Sequence, residues 1–309
     1  MNEELKTNSE SIKKDEVLDD TLDLNISEED NEENELPKPD YVKMTISGGI
    51  LPLEMRFSGI YDCYSKKAIA YFSYTYINSV LSGIIPPEKY NYSADLSLKG
   101  IELSKWNIIH AIDAIKGFNE EKRKIKFITA RVSPKMLLVD DLFNYLKEIF
   151  EKEGFTEREK LCLEIPKTVL FEDEEKVRLA LLNLKLLKVK SMMTGFGEKD
   201  TPISMLMNLP FDYVTFAPWL SRKIGNVDEG SKVMALLAYI KTLGVEVIAN
   251  GILSDDQISV LVREEAFGFI PSTRFKGTKE FTKLRMTLKD AIEEEEEEGE
   301  EEWPMSDSP

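Results

Sequence analysis

The chain has 309 residues, of which 42% are hydrophobic and 9% aromatic, and its formal net charge is −17. This composition is sufficient for a large buried core, and no run approaches the roughly 18 consecutive apolar residues of a membrane span. The polar, acidic start MNEELKTNSE is unlike a signal or transit peptide, so we expect a cytoplasmic protein without membrane contact.

The negative charge is concentrated at the two ends of the chain. Residues 1–40 carry 15 acidic side chains and 4 lysines, and residues 290–309 carry 11 acidic side chains and no basic ones. Each end therefore has a net charge of −11, which leaves about +5 for residues 41–289. Low apolar content in the first segment and the glutamate run 293–298 in the second predict disordered acidic tails. Such tails either keep the chain soluble or screen a basic surface, and together with the lack of a dense basic helix they argue against nucleic-acid binding.

The cysteines and the single histidine do not indicate a metal or catalytic centre. Cys63 and Cys162 are far apart and outside any metal-ligand spacing, so we expect buried, reduced thiols. His110 follows the apolar pair Ile108-Ile109 in a helical pattern and is interpreted as a residue on a helix face.

Strand-like and helix-like segments follow one another along the middle of the chain. The first two strand-like segments, 57–64 and 67–77, can pair as a hairpin around Ser65 and Lys66. The later segments are strand 124–133, helix 140–155, strand 161–166, helix 174–190, strand 191–197, helix 203–210, strand 212–218, helix 230–244, strand 245–251, helix 254–266 and strand 268–275. This alternation predicts parallel βαβ units, and its repetition predicts an α/β fold with a closed, TIM-like (β/α) barrel.

In such a barrel the carboxyl ends of the strands form the ligand-binding edge. The residues predicted there are Arg131, Glu164, Thr194, Gly195, Thr215, Ala217, Asn250 and the segment 267–272.

Seven segments along the chain share one further feature. They are FSGIYDCYSKKAIAYFSYTYI (57–77), GIIPPEKY (83–90), ITARVSP (128–134), LCLEIPKT (161–168), MMTGFG (192–197), NLPFDYVTFAPWL (208–220) and LGVEVIANGILSDDQISVL (243–261). In this order, they resemble the EAL family of cyclic di-GMP phosphodiesterases. The resemblance covers roughly residues 57–275 and implies a barrel of the EAL type. We therefore predict an acidic disordered segment 1–40, a barrel domain 41–278, and a short helix with an acidic disordered tail in 279–309.

The resemblance also implies that the family's site is degenerate here. In active members, carboxylates and amides hold two divalent metal ions, and only Glu164 matches such a ligand. The positions where this chain departs from the family are Ser58, Phe72, Tyr76, Arg131, Thr194, Gly195, Thr215, Ala217, Asn250 and Phe267. From these replacements we predict no catalytic residue, no metal and no cofactor. We also predict that the chain is not an enzyme and does not bind cyclic di-GMP.

The function expected from the sequence is that of a catalytically inactive EAL-like regulatory protein in bacterial signalling. It would act through contact with an unknown protein partner, and a homodimer is an open alternative. A second open alternative is a receptor that binds cyclic di-GMP without hydrolysing it. A third is a barrel in which Arg131 and backbone amides bind an anion or nucleotide without metal. Glu164 either pairs with Arg131 or serves a ligand, and the aromatic residues of segment 71–76 either fill the core or form a binding platform.

Overall fold

The computed structural model describes residues 53–79, 82–138, 142–198, 203–279, 281 and 285–299. The predicted acidic segment 1–40 and the last ten residues lie outside the described residues.

The described strands form a closed barrel with one extension. The strands are β1 (Leu53–Tyr61), β2 (Ala68–Ser79), β3 (Gly83–Ile85), β4 (Ile128–Arg131), β5 (Leu161–Pro166), β6 (Lys190–Phe196), β7 (Tyr213–Phe216), β8 (Glu246–Ser254) and β9 (Gly268–Lys276). Their order is β1-β9-β8-β7-β6-β5-β4-β2-β3, and β1 also pairs with β2, so the barrel closes and β3 extends it. β1 is antiparallel to both neighbours, whereas β2 and β4 to β9 run parallel. The predicted TIM-like α/β barrel is confirmed.

Helices cover the outside of the barrel. In the described residues they are α1 (Asn91–Leu96), α2 (Lys99–Glu120), α3 (Pro134–Leu138), α4 (Leu142–Lys152), α5 (Glu174–Leu186), α6 (Ile203–Leu206), α7 (Pro218–Ser221), α8 (Gly230–Thr242), α9 (Asp255–Arg263) and α10 (Leu288–Gly299). In the part of the chain described, no helix combines the length and the apolar character needed to cross a membrane.

Local sequence signals explain where these elements begin and end. All six residues of β5, LCLEIP, are buried, as expected for a parallel strand covered on both faces. Asp173 caps α5 by accepting a hydrogen bond from the Lys176 N–H at 3.1 Å. Gly244 follows α8 with φ +75°, a left-handed conformation that glycine adopts readily at the end of a helix.

The apolar core has two main parts. Inside the barrel, Phe72, Cys162, Met192 and Ile248 belong to one cluster, and a larger cluster lies between the strands and the helices. Both cysteines are buried and free, as predicted, and burial raises the pKa of the Cys63 thiol to about 12.

The structure differs from the predicted elements in several places. The long helix α2 and the short helix α3 are absent from the predicted series. Helix 140–155 corresponds to α4, and helix 203–210 is reduced to the four residues of α6. His110 lies on α2, stacked on Trp106 at 3.7 Å between ring centroids, which confirms its place on a helix face.

The fold also continues past the predicted domain boundary at residue 278. Met286 forms two backbone hydrogen bonds with Phe57 of β1, and Ala291 of α10 is fully buried. Residues 285–292 therefore pack as part of the barrel.

Candidate functional site

The carboxyl ends of β4, β5 and β6 bring three of the predicted site residues together. Arg131 stands opposite Glu164 in the β4–β5 pairing, and Thr194 lies near the end of the neighbouring strand β6. We call this end of the barrel the barrel mouth. Arg131, Glu164 and Thr194 lie here because each ends or nearly ends a parallel strand.

A charged cluster fills this side of the mouth. Arg131 Nη1 donates to Glu164 Oε1 at 2.7 Å, and Arg131 Nη2 donates to Asp95 Oδ2 at 2.8 Å. Thr194 Oγ1 also donates to Glu164 Oε1, at 3.3 Å. Sequence reasoning missed Asp95, which comes from α1 and has no pattern linking it to the end of β4. Of the two alternatives for Glu164, the structure thus shows the pairing with Arg131.

Burial and charge act in opposite directions on these groups. Burial raises the pKa of both the Glu164 and Asp95 carboxyls, although Arg131 partly offsets the effect. Burial alone would lower the pKa of Arg131, but the two carboxylates outweigh it and the pKa is raised. The cluster contains two acids and one base, so it carries one excess negative charge when all three groups are ionised.

The backbone beneath this cluster is held by a second set of hydrogen bonds. Asn107 Nδ2 donates to the Arg131 carbonyl at 2.8 Å, and Thr75 Oγ1 donates to Asn107 Oδ1 at 2.6 Å. The Tyr90 hydroxyl donates to the Thr75 carbonyl at 2.5 Å. These bonds link β2, α2 and the segment before α1 to the end of β4.

A second arginine lies against β1 and β2, and β2 is the neighbour of β4. Arg285 Nη1 donates to the Tyr76 hydroxyl at 2.7 Å, and its guanidinium lies 4.2 Å from the ring centroid of Tyr74. The Arg285 N–H donates to Ser58 Oγ at 3.1 Å, and the side chain pairs with Glu88. Two predicted site residues, Ser58 and Tyr76, thus contact an arginine that sequence reasoning missed.

The remaining predicted residues lie at bulges or strand ends around the mouth. Thr194 and Gly195 fall where the β6–β7 register shifts, and Gly195 has φ +77°. Thr215 is buried within β7, Ala217 directly precedes α7, and Asn250 is half-buried where the β8–β9 register shifts.

Two aromatic predictions have different outcomes. Phe72 is buried in the cluster inside the barrel, with its ring 5.2 Å from that of Tyr74, so it fills the core. Phe267 was expected at the mouth, but it immediately precedes β9 and therefore lies at the amino end of the barrel. There it stacks on Phe127 at 5.9 Å between ring centroids. The prediction was wrong because it treated Phe267 as following a strand, whereas Phe267 comes directly before β9.

A small cavity of about 50 Å³ lies at the mouth, which we call the mouth pocket. Its lining includes Phe72, Tyr74, Glu88, Tyr90, Arg131 and Glu164. It is smaller than the few hundred Å³ typical of small-molecule sites, so a ligand of nucleotide size needs an outward movement of the lining.

The side chains at the mouth do not fit the two divalent metal ions implied by the resemblance. Hard cations need several oxygen ligands, yet Glu164 Oε1 accepts hydrogen bonds from Arg131 and Thr194. Among the described residues there is also no group of three or more His, Cys, Asp or Glu side chains placed to hold one metal ion.

Comparison with known proteins identifies the fold family. A family model for the EAL domain matches residues 51–267. A Caulobacter vibrioides protein known as an uncharacterized signaling protein is 26% identical over 184 residues, which is 59% of this chain and 22% of that protein. The chain thus spans about a fifth of the length of this relative.

Solved structures share the fold at low sequence identity. The EAL enzyme Bd1971, with cAMP and cyclic di-GMP bound, has a TM-score of 0.71 and 17% identity, covering 82% of this chain and 67% of its own. The PaMucR phosphodiesterase in complex with cyclic di-GMP has a TM-score of 0.68 and 13% identity, covering 81% and 97%. The FimX EAL domain from Pseudomonas aeruginosa, bound to cyclic di-GMP, has a TM-score of 0.64 and 12% identity, covering 75% and 92%.

These comparisons confirm the family resemblance and correct two predictions. The prediction that the chain is not an enzyme is wrong, because the EAL match is accompanied by neighbours that include an EAL enzyme and a phosphodiesterase. The prediction that cyclic di-GMP does not bind is also wrong, because these EAL neighbours were solved with that nucleotide bound. Both predictions relied on the replacements at ten positions of the family's site, which do not place a chain outside its family.

Proposed function

The chain belongs to the EAL domain family, and on this basis we propose that it is a signalling protein whose barrel mouth binds cyclic di-GMP. The observation that carries the proposal is Arg131 beside aromatic side chains at the edge of the barrel where α/β barrels bind their ligands. A guanidinium is suited to phosphodiester oxygens, and aromatic rings are suited to stacking with bases.

Binding requires a rearrangement at the mouth. Arg131 is paired with Glu164 and Asp95, so a phosphate must displace at least one carboxylate to reach the guanidinium. Asp95 is the one to leave, because it is carried by the short helix α1, whereas Glu164 is carried by a barrel strand. Movement of α1 also enlarges the mouth pocket and gives ligand binding a structural consequence that a partner protein can detect.

Calorimetric titration of the full chain with cyclic di-GMP, with and without Mg²⁺, tests the proposal. We expect saturable binding that is strongly weakened in Arg131→Gln and unchanged in Arg178→Ala, which removes an exposed arginine of α5. Chromatography of the same samples measures conversion to a linear dinucleotide, because the family includes phosphodiesterases. No heat and no retention of nucleotide by the folded, unaltered chain would contradict the proposal.

A role in protein contact is favoured by a separate observation on α5. This helix buries Val177, Leu181 and Leu184 on one side. It also exposes Leu179, Leu182 and Leu186 on another, with exposed fractions of 49%, 37% and 76%. Leu179 borders a groove of about 250 Å³ formed with α3 and α4. An outward row of leucines beside a groove is suited to an apolar helix of a partner protein.

Light scattering of the purified chain tests this second role and separates a second copy from a different partner. If a second copy of the chain binds here, the unaltered chain is a dimer and Leu182→Lys with Leu186→Lys is a monomer. A different partner is indicated if both are monomers and the leucine variant alone loses signalling output in cells. Equal oligomeric state and equal output for both chains would contradict a role of this surface.

A further inference from the structure

Arg285 reaches the mouth from the last described segment of the chain. Met286 anchors this segment by exchanging two backbone hydrogen bonds with Phe57, at 2.7 and 2.6 Å. Arg285 itself has φ +69°, a conformation that residues other than glycine adopt rarely, and its N–H is bound by Ser58 Oγ. The backbone of Arg285 is therefore held in place on both sides.

The guanidinium of Arg285 lies on an aromatic surface at the mouth. It is 4.2 Å from the Tyr74 ring centroid and 5.7 Å from that of Tyr76, whose hydroxyl accepts its hydrogen bond. The side chain is 22% exposed, so solvent reaches part of it. A guanidinium from a distant part of the chain thus binds Tyr76.

Both arginines are linked to the mouth pocket. Arg131 lines the pocket, and Arg285 contacts Tyr74 and Glu88, two of the other lining residues. Each guanidinium is held by carboxylates, Arg131 by Glu164 and Asp95 and Arg285 by Glu88. The Glu88 side chain is 40% exposed, so it can leave Arg285 for water without being buried unpaired.

We propose that Arg285 is a ligand-binding residue of the mouth, and that Glu88 occupies its guanidinium until a phosphodiester replaces it. Cyclic di-GMP carries two phosphodiester groups, and the mouth offers one guanidinium in the lining of the pocket and a second one packed against that lining. The Tyr74 ring orients the Arg285 plane, and a flat guanidinium can then bind two oxygens of one phosphate. This inference rests on the proposed function and adds the residue that supplies the second positive charge.

Titration of cyclic di-GMP into Arg285→Ala, Arg285→Lys and Glu88→Gln chains tests the inference. We expect Arg285→Ala to weaken binding about tenfold or more, since a hydrogen bond between charged groups is lost. Arg285→Lys should fall between the unaltered chain and Arg285→Ala, because the charge stays and the fork geometry is lost. Glu88→Gln should tighten binding, because it removes the competing carboxylate. Arg178→Ala serves as the matched control.

The opposite effects of the two substitutions separate ligand contact from a structural role. If Arg285 only stabilised the fold, Glu88→Gln would break its ion pair and weaken binding or leave it unchanged, and either result would overturn the inference. Equal affinity of folded Arg285→Ala and unaltered chains would overturn it while leaving the proposed function intact. Absence of binding by the unaltered chain would overturn the proposed function and this inference with it. If Arg285→Ala fails to fold, the Glu88→Gln and Arg285→Lys titrations still decide the question.

Discussion

At the scale of single residues, Arg131 is the centre of the best-defined interaction at the mouth. It binds Glu164 and Asp95 at 2.7 and 2.8 Å, and both carboxylates are almost completely buried. Removing one partner of a buried pair typically costs about 3–5 kcal/mol, because the remaining charge stays buried without compensation. Loss of Arg131 leaves both Glu164 and Asp95 without their partner. Loss of Glu164 leaves Arg131 still paired with Asp95.

We therefore predict that Arg131→Ala lowers the free energy of unfolding more than Glu164→Ala does. The loss of free energy of unfolding in the double variant should be smaller than the sum of the two single losses. We expect the difference, which is the coupling energy, to be about 1–3 kcal/mol. Urea unfolding of the four chains measures this. The exposed pair Glu175–Arg178, at 2.6 Å, is the control cycle and should show far weaker coupling, because solvent screens it. Strict additivity at Arg131 and Glu164 would contradict the prediction.

Protonation of Glu164 gives a second prediction at this scale. Burial raises its folded-state pKa above 4.5, so between 4.5 and the raised value the folded chain binds a proton that the unfolded chain has released. Its contribution to stability therefore declines as pH rises through this window. We expect the unaltered chain to lose stability relative to Glu164→Gln as pH increases from 4.5.

Denaturant unfolding at several pH values measures this difference, in which the titration of groups that do not interact with Glu164 cancels. Glu175→Gln is a control of opposite sign, because a hydrogen bond from Arg178 lowers the pKa of Glu175. Ionised Glu175 therefore stabilises the folded chain above pH 4.5, and this stabilisation is lost as the pH falls through its lowered pKa. If the free energy of unfolding of the unaltered chain instead rose relative to that of Glu164→Gln with increasing pH, the raised pKa of Glu164 would be refuted.

At the scale of elements, short apolar strands alternating with amphipathic helices are sufficient to predict the barrel. The segment LCLEIP is fully buried in β5, and its place in the alternating series is enough to predict that Glu164 lies at the mouth. Asp95 and Arg285 were missed because their partners are distant in sequence. Arg131 and Asp95 are separated by 36 residues, and Arg285 and Glu88 by 197, beyond the reach of any helical or strand period.

The last described helix, α10, provides a prediction because it packs on the barrel although the sequence placed its short helix outside the barrel domain. Ala291 of α10 is fully buried, and its carbonyl accepts a hydrogen bond from the Tyr71 hydroxyl at 3.2 Å. Ala291→Glu would place an unpaired charge in the core and should lower the free energy of unfolding by about 3 kcal/mol or more. Lys289→Ala, on the same helix with its side chain 82% exposed, should have little effect. Thermal unfolding of both variants measures this, and equal stability would mean that α10 does not pack on the barrel.

At the scale of the whole molecule, charge is separated between the barrel and the ends of the chain. Residues 41–289 carry about +5, whereas residues 1–40 and 290–309 carry −11 each. A cyclic dinucleotide is itself anionic, so the barrel attracts it and the acidic ends repel it. The repulsion acts through solvent, where the screening length is about 10 Å at 0.1 M salt and about 3 Å at 1 M.

Deletion of residues 1–40 should therefore tighten cyclic di-GMP binding a few fold at low salt, and the gain should disappear near 1 M salt. Fluorescence titration of the deleted and full chains at several salt concentrations measures this. A full-length chain whose Asp and Glu residues within 1–40 are changed to Asn and Gln is the matched control, because it keeps the length and removes the charge. If charge is the cause, this control behaves like the deletion. If it behaves like the unaltered chain, the charge of the segment is not the cause and the electrostatic account is refuted.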